Sequence, residues 1–207
     1  MHWKPGHLVR RHGPLLVGIC MEPAGNERQY QPIFHIHCLG IPFDGISLSL
    51  FGPLRGRFSV PEDVPCNLDD MRMRNVLERF AEQYPAVEQI EFGFNDYIRA
   101  TRYYLSHCMG VMLENLNPYQ DVLTTAASLR LKEYVVRNVQ KHLDRSSSWP
   151  EAAFQVVGGR DAWQRRMIEL AEHPELVDAT VSSEVNRHGL DGVPDQRLII
   201  NADLTEL

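Results

Sequence analysis

Two neighbouring stretches of the chain, residues 33–39 and 45–51, alternate between apolar and polar side chains. A period of two is typical of β-strands, in which successive side chains point to opposite faces of the sheet. Pairing the two stretches as a hairpin produces an apolar face that carries Phe34, Ile36, Cys38, Ile46, Leu48 and Leu50. The opposite face is polar and carries His35, His37, Ser47 and Ser49. The pattern therefore predicts a sheet that is apolar on one side and carries reactive groups on the other.

The connection between these strands, residues 40–45, predicts their register. Both apolar rows share one face only if the residue numbers of each opposing pair have an even sum, because a slip by one residue moves every side chain of a strand to the other face. Within that constraint the short connection places His35 opposite Ser49 and His37 opposite Ser47. Burial of the apolar face is expected to enforce this register.

The rest of the pattern predicts one more main strand and then a series of helices. Residues 15–21 alternate like a strand, and residues 87–94 and 198–200 are shorter strand candidates. Further along, apolar residues recur every three or four positions, which is the period of an amphipathic helix. This spacing predicts helices over 68–84, 96–116, 118–143, 161–172 and 175–187. The expected fold class is α+β: a small N-terminal antiparallel sheet with helices packed on one face, and a helical C-terminal half.

The apolar stripes of the first two helices identify a candidate core. The side chains expected to be buried there are Met73, Val76, Leu77, Phe80, Leu105, Met109 and Met112. A linker candidate follows at 145–150, where three serines precede Trp149 and Pro150. We therefore expect an α+β core domain over 1–145 and a helical C-terminal extension over 146–207 packed on it. At 207 residues, the chain also fits a single domain, 1–207.

Composition places the chain among ordinary globular proteins, with 43% hydrophobic and 23% charged residues. The formal net charge of −6 argues against a dedicated nucleic-acid binder. No apolar run is long enough for a membrane span or a signal sequence, and the four cysteines lack CxxC spacing. These features predict a cytoplasmic protein with free thiols that binds neither nucleic acid nor membrane. They leave the oligomeric state open.

The histidine pair on the polar face is the main candidate for chemistry. His35 and His37 are two positions apart on one strand, so both imidazoles project from the same face, with Cα atoms roughly 7 Å apart. Two imidazoles at that spacing could share a divalent metal such as Zn²⁺ if folding supplies a third ligand. Candidates for the third ligand are His2, His7, His12 and Asp44. The alternative interpretations are a binding face without metal and a pair of ordinary structural histidines.

Two functions from different classes fit these observations. The first is a non-catalytic cytoplasmic module without a cofactor that binds another protein and neutralises or regulates it, by analogy of class with immunity proteins and antitoxins. Its candidate binding face consists of His35, His37, Ser47, Ser49, Arg55 and Arg57. The alternative is a metal-dependent or histidine-assisted hydrolase centred on His35 and His37, with Arg55 or Arg57 holding an anionic substrate. A catalytic thiol at Cys20 is a variant of that alternative. The binding module is favoured because no complete set of catalytic residues or metal ligands can be recognised.

Overall fold

The computed structural model describes residues 2–4, 7–24, 28–46, 50–56, 60–67, 69–87, 89–107, 116–155, 157–200 and 203–204. An antiparallel sheet forms the N-terminal part and helices form most of the remainder, so the fold class is α+β, as predicted. The strands are β1 (His2–Lys4), β2 (His7–His12), β3 (Leu15–Pro23), β4 (Gln29–Cys38), β5 (Leu50–Pro53) and β6 (Val64–Pro65). The helices are α1 (Asp70–Gln83), α2 (Phe94–His107), α3 (Asn117–Ser128), α4 (Lys132–Arg145), α5 (Ala152–Gln155), α6 (Arg160–Glu172) and α7 (Pro174–Arg187).

The first five strands follow one another across the sheet in chain order, and every neighbouring pair is antiparallel. β6 pairs with the start of β4. The sequence pattern predicts neither β1 nor β2, because β2 is mostly polar and only Val9 and His12 are buried in it. The turn from β2 to β3 contains Gly13 at φ +57°, a left-handed conformation that glycine adopts without steric cost.

β4 and β5 pair in a register that differs by two residues from the predicted one. His35 lies opposite Phe51 rather than Ser49. A shift by two residues leaves every side chain on its predicted face, so the apolar rows still share a face. Ile36 lies opposite Leu50 rather than the predicted Leu48, so two more residues separate the paired positions than in the predicted register. Residues 47–49 lie outside the described part of the chain, and with them the predicted partner of His37.

Helices cover the face of the sheet that carries Phe34 and Cys38, as predicted. The Phe34 ring stacks on Tyr84, which directly follows α1, with ring centroids 4.8 Å apart. Cys38 Sγ lies 3.6 Å from Thr125 Oγ1 of α3. The other face is covered too, because all of residues 32–38 are buried. β4 is therefore a central strand enclosed on both sides, and its polar face is as buried as its apolar face.

Two predicted elements differ in extent from the observed ones. Residues 118–143, predicted as one helix, form α3 and α4, because Arg130 between them has a left-handed backbone with φ 62°. The predicted strand over 87–94 is absent from its described residues: Pro85–Val87 is a 3₁₀ turn, and α2 already begins at Phe94. A periodic apolar pattern predicts which side chains face inward, but it does not predict where one helix ends and the next begins.

Most of the predicted core positions that the structure describes belong to the core. The positions that are buried or packed against it are Val76, Leu77, Phe80 and Leu105. Met73 contradicts the prediction, since it is 36% exposed. The physical reason is that residues 69–75 are all exposed, so this end of α1 has no surface to pack on. Met109 and Met112 lie outside the described residues.

Residues 195–199 return to the N-terminal sheet, and we call them the return segment. The Gln196 N–H donates to the Arg11 carbonyl of β2 at 3.0 Å, and the Ile199 N–H donates to the Phe92 carbonyl at 3.0 Å, just before α2. Only isolated bridges form here, so the last predicted strand is not a strand in the described residues. The segment nevertheless links the sheet edge to the helical half.

The later helices pack on the earlier ones. α6 contacts α3 and α4, and α7 contacts α3 and α6. Ser146, in the predicted linker, is buried and donates its hydroxyl to the His142 carbonyl at 2.8 Å. The helices after residue 145 thus share packed surfaces with α3 and α4, and the division at that residue stays a prediction. No helix within the described residues is both long and apolar enough to span a membrane.

Candidate functional site

β4 holds His35 and His37 on one face of the sheet, as the alternation predicts. The β3–β4 register places Gly18 opposite His35. Because glycine has no side chain, the His35 ring extends over β3 and meets His7 of β2, with His35 Nε2 and His7 Nδ1 3.2 Å apart. Cys20, which is opposite His7 in the β2–β3 pairing, has its Sγ 3.8 Å from His7 Nε2. We call His7, Cys20, His35 and His37 the histidine cluster.

The centre of the histidine cluster is enclosed, so the predicted polar face is covered by other parts of the chain. His35 and His37 are both 0% exposed. The His37 ring centroid lies 5.8 Å from that of Phe43 and 6.2 Å from that of His188, which follows α7. Residues far apart in the sequence thus cover the face that the local pattern leaves open. Replacing both histidines therefore removes packed side chains rather than surface groups.

The other predicted residues of the binding face are not shown to join the cluster. Arg55 follows β5, and its backbone N–H and carbonyl each form a 2.8 Å hydrogen bond with the Gln83 side chain of α1. Its backbone is therefore held by α1. Ser47, Ser49 and Arg57 lie outside the described residues. Of the predicted face, the structure brings together the two histidines and adds two residues to them that lie on β2 and β3.

Burial keeps the histidine cluster uncharged at neutral pH. Burial, followed by the influence of His7 and His37, lowers the pKa of His35 to about 3. Burial, followed by the influence of His188, lowers the pKa of His37 to about 4. The Cys20 thiol responds in the opposite direction, because burial and then the Glu22 carboxylate raise its pKa to about 12. Neutral imidazoles and a neutral thiol suit a packed polar cluster better than nucleophilic chemistry.

The side chain of His2, one of the predicted third metal ligands, lies outside the described part of the structure, and the other candidates do not complete a metal site with His35 and His37. His7 approaches His35, but their nitrogens are at hydrogen-bonding distance from each other. His12 lies on the opposite face of the sheet, and Asp44 pairs with Arg187 at 2.7 Å. Within the described ranges, no three His, Cys, Asp or Glu side chains are grouped so that they could hold a metal ion.

We expect Cys20 to react with iodoacetamide about 100-fold more slowly than Cys66 in mildly alkaline buffer. Alkylation requires the thiolate, and Cys20 is buried with its pKa raised to about 12, whereas Cys66 is exposed. Mass spectrometry of digested samples, taken at successive times, measures both rates. Denaturant should bring the two rates together. A Cys20 that reacts faster than Cys66 in the native protein would restore the catalytic-thiol interpretation.

A second candidate site lies between β5, the end of α1 and α2. It is a cleft of about 450 Å³, and we call it the aromatic cleft. The aromatic side chains in its wall are Phe34, Phe51, Tyr84, Tyr103 and Tyr104. The polar side chains that line it are Glu82, Gln83, Gln89, Asp96 and Arg99. The cleft therefore has a mostly apolar lining with a small number of polar groups, as ligand-binding sites commonly do.

The wall of the aromatic cleft has a fixed part and an exposed part. The Tyr84 hydroxyl donates to the Pro53 carbonyl at 2.9 Å, which holds its ring in place. Tyr104 is buried and packs against Phe51, with ring centroids 5.7 Å apart. Tyr103 and Phe51 are 52% and 40% exposed. Large, rigid aromatic surfaces of this kind gain much from burial when a partner binds.

The sequence pattern gives only one indication of this cleft. The predicted apolar stripe of the second helix includes Leu105 and omits Tyr103, which leaves a large aromatic residue on the outer side of that helix. That omission is a usable signal for a surface site. The other aromatic residues come from separate stretches, around 34, 51 and 84, and meet only after folding. No local pattern connects them.

Comparison with known proteins adds no site that could be carried over to this chain. No protein-family model matches the chain, and no significant match was found among curated proteins or among solved structures.

Proposed function

We propose that the protein is a non-catalytic module that binds another protein through the aromatic cleft. The observation that carries this proposal is the pair of exposed aromatic side chains, Phe51 and Tyr103, on the wall of a concave site of about 450 Å³. Binding sites are typically concave and mostly apolar. Aromatic residues, especially tyrosine, are enriched among the few positions that supply most of the binding energy at protein interfaces.

The position of the cleft favours an extended segment of the partner. Phe51 belongs to β5, which ends the strand order of the sheet. Among the described residues, no strand pairs with the outer edge of β5. An edge strand offers backbone N–H and carbonyl groups to an extended peptide, while a neighbouring pocket accepts one of its side chains. In β5 this edge is short, because Pro53 has no N–H and its carbonyl already accepts from Tyr84. A partner of this kind engages both the strand edge and the aromatic wall.

The histidine cluster gives less support to the alternative, a metal-dependent or histidine-assisted hydrolase. His35 and His37 are enclosed, and a substrate could reach them only if the covering residues moved. Their low pKa values leave neutral imidazoles at neutral pH, and the Cys20 thiol beside them is protonated. A cytoplasmic location and a neutralising or regulatory role, by analogy with immunity proteins and antitoxins, belong to the same proposal as the binding module.

Short random peptides, displayed on phage and selected on the purified protein, are the probe for this proposal. We expect the selected peptides to bind the Tyr103→Ala and Phe51→Ala variants about tenfold more weakly than the unmodified protein, because each change removes part of the aromatic wall. Both side chains are substantially exposed, so the fold should survive. Fluorescence anisotropy of labelled synthetic peptides measures the dissociation constants.

Tyr30→Ala provides the matched control for these variants. Tyr30 is an aromatic residue that is 37% exposed and does not line the cleft. Its removal should leave the peptide affinity unchanged, and circular dichroism should show the same secondary structure in all variants. If the selected peptides bind the cleft variants and the control equally well, the aromatic cleft is not the binding surface and the proposal is wrong.

A further inference from the structure

The exposed face of α2 connects the aromatic cleft to a second cleft. Arg99, Arg102, Tyr103 and Ser106 are all exposed, and their spacing of three and four positions places them on one continuous face of the helix. Arg99 and Tyr103 line the aromatic cleft, whereas Arg102 and Ser106 line a neighbouring cleft of about 290 Å³. The two clefts are therefore about one helical turn apart, roughly 5 Å along α2.

The second cleft is basic, and we call it the arginine cleft. It is lined by Arg102, Leu105, Ser106, Tyr119 and Arg145. The two guanidinium groups come from different helices, Arg102 from α2 and Arg145 from α4. None of the described residues that line it carries a carboxylate. Two guanidinium groups that line one small cleft are a natural setting for an anionic group.

The positive charge of Arg145 affects the pKa values of two neighbouring side chains, His142 and Tyr119. Burial is the main cause of the lowered pKa of His142, and the charge of Arg145 lowers it further. Burial also raises the pKa of Tyr119, and the charge of Arg145 opposes that rise. Both effects have the sign that a cationic cleft produces, so the field of Arg145 reaches the side chains around it.

The charges along this face of α2 are unevenly distributed. The aromatic cleft is lined by two carboxylates, Glu82 and Asp96, and Asp96 forms an ion pair with Arg99. Arg99 is therefore compensated within its own helix. No salt bridge joins Arg102 to another described residue. The end of the face that holds the arginine cleft therefore has two arginines and no carboxylate among its described lining residues.

We infer that the partner segment that binds the aromatic cleft also carries an acidic side chain, Asp or Glu, which enters the arginine cleft. This inference rests on the proposed function. A shift of one helical turn corresponds to about two residues of extended chain at roughly 3.3 Å each. The acidic residue therefore lies about two positions from the apolar residue that fills the aromatic cleft. Arg102 and Arg145 contact its carboxylate through the charge-assisted hydrogen bonds that guanidinium groups form.

The test uses peptides selected from the displayed library, each synthesised once with its acidic residue and once with the corresponding amide. We expect Arg102→Ala and Arg145→Ala each to weaken binding of the acidic peptide about fivefold and to leave binding of the amide peptide unchanged. Added salt should weaken only the acidic peptide. Arg166→Ala makes the same charge change at an exposed position on α6 and should affect neither peptide.

The outcomes distinguish this inference from the function on which it rests. Selected peptides without an acidic residue near the apolar one overturn the inference, and so do equal losses of the acidic and amide peptides on the arginine variants. In either case the proposed function stands if Tyr103→Ala still weakens binding. If Tyr103→Ala has no effect on any selected peptide, the proposed function and the inference are both wrong.

Discussion

Gly18→Ala is expected to lower the free energy of unfolding by about 3 kcal/mol, a large part of the stability of a typical domain. A Cβ atom at this position would lie 2.3 Å from the Leu8 carbonyl oxygen and 3.0 Å from Val9 Cα. Both are backbone atoms of β2, so neither can rotate away as the tip of a side chain would. The two strands must separate to accommodate the methyl group. Urea denaturation followed by circular dichroism measures the loss.

Gly45→Ala is the matched control for this substitution. Apart from its neighbours in the chain, no atom of the described residues lies within 4 Å of a Cβ built on Gly45, so the change should alter the stability by no more than about 0.5 kcal/mol. Separation of β2 from β3 should also loosen the histidine cluster, so Cys20 should be alkylated faster in the Gly18 variant. A Gly18→Ala protein as stable as the unmodified one contradicts the close β2–β3 pairing described above.

Acidification from about pH 7 to about pH 4 is expected to unfold the protein. His35, His37 and His142 are buried, and their pKa values are about 3, 4 and 4 in the folded chain, against about 6.5 for an ordinary histidine. Between these values the unfolded chain binds protons that the folded chain does not. The free energy of unfolding therefore falls as the pH falls below about 6.5, and above that pH these three groups have no effect.

The expected size of this effect is large compared with the stability of a domain. Each such histidine contributes up to about 1.4 kcal/mol per pH unit, so the three together contribute about 4 kcal/mol per unit. For a stability of about 6–10 kcal/mol at neutral pH, in the middle of the typical range, this slope is expected to place the acid-unfolding midpoint at about pH 4 to 5. Tryptophan fluorescence during an acid titration locates the midpoint, and urea denaturation at several pH values gives the slope.

The variant His142→Phe tests how much of the pH dependence of stability comes from this one histidine. The His142 ring packs against Tyr119 and Trp163, with ring centroids 4.0 Å and 5.3 Å apart, and neither of its nitrogens has a hydrogen-bond partner in the described residues. Phenylalanine should therefore fit, and the slope should fall by about 1.4 kcal/mol per pH unit. Val136→Phe, at a side chain that is 42% exposed and carries no titratable group, should keep the original slope. An unchanged slope in the His142 variant shows that this histidine does not titrate as a buried group.

The alternation of β4 predicts which side chains share a face, because side-chain direction on a strand is a local property. It does not predict what covers that face. His35 meets His7, which is 28 positions away and lies on a strand that the pattern does not reveal. His37 is covered by Phe43 and by His188 at the end of α7. The two histidines were therefore correctly placed together, whereas their enclosure depends on contacts between distant parts of the chain.

The register error and the aromatic cleft have related causes. The predicted register assumes a short connection after β4, and the length of a connection is not encoded in the alternation of the strands that it joins. The cleft depends on Phe51 lying beside Tyr104 and on Tyr84 lying beside Phe34, and each of these pairs joins two different elements. The periodicity of α2 identifies the residues that face inward, but only the tertiary structure shows which outward residues meet a partner surface.

The return segment has a consequence for how this protein forms during translation. A ribosome makes β2 long before it makes residues 195–199, and the N-terminal parts of a chain generally begin to fold first. Until the return segment emerges, the Arg11 and Phe92 carbonyls lack the backbone donors that they have in the finished structure. During that interval one edge of the nascent sheet is open to strands of other chains. The chain can therefore assemble its sheet on the ribosome, but it is most exposed to mispairing until this segment has been synthesised.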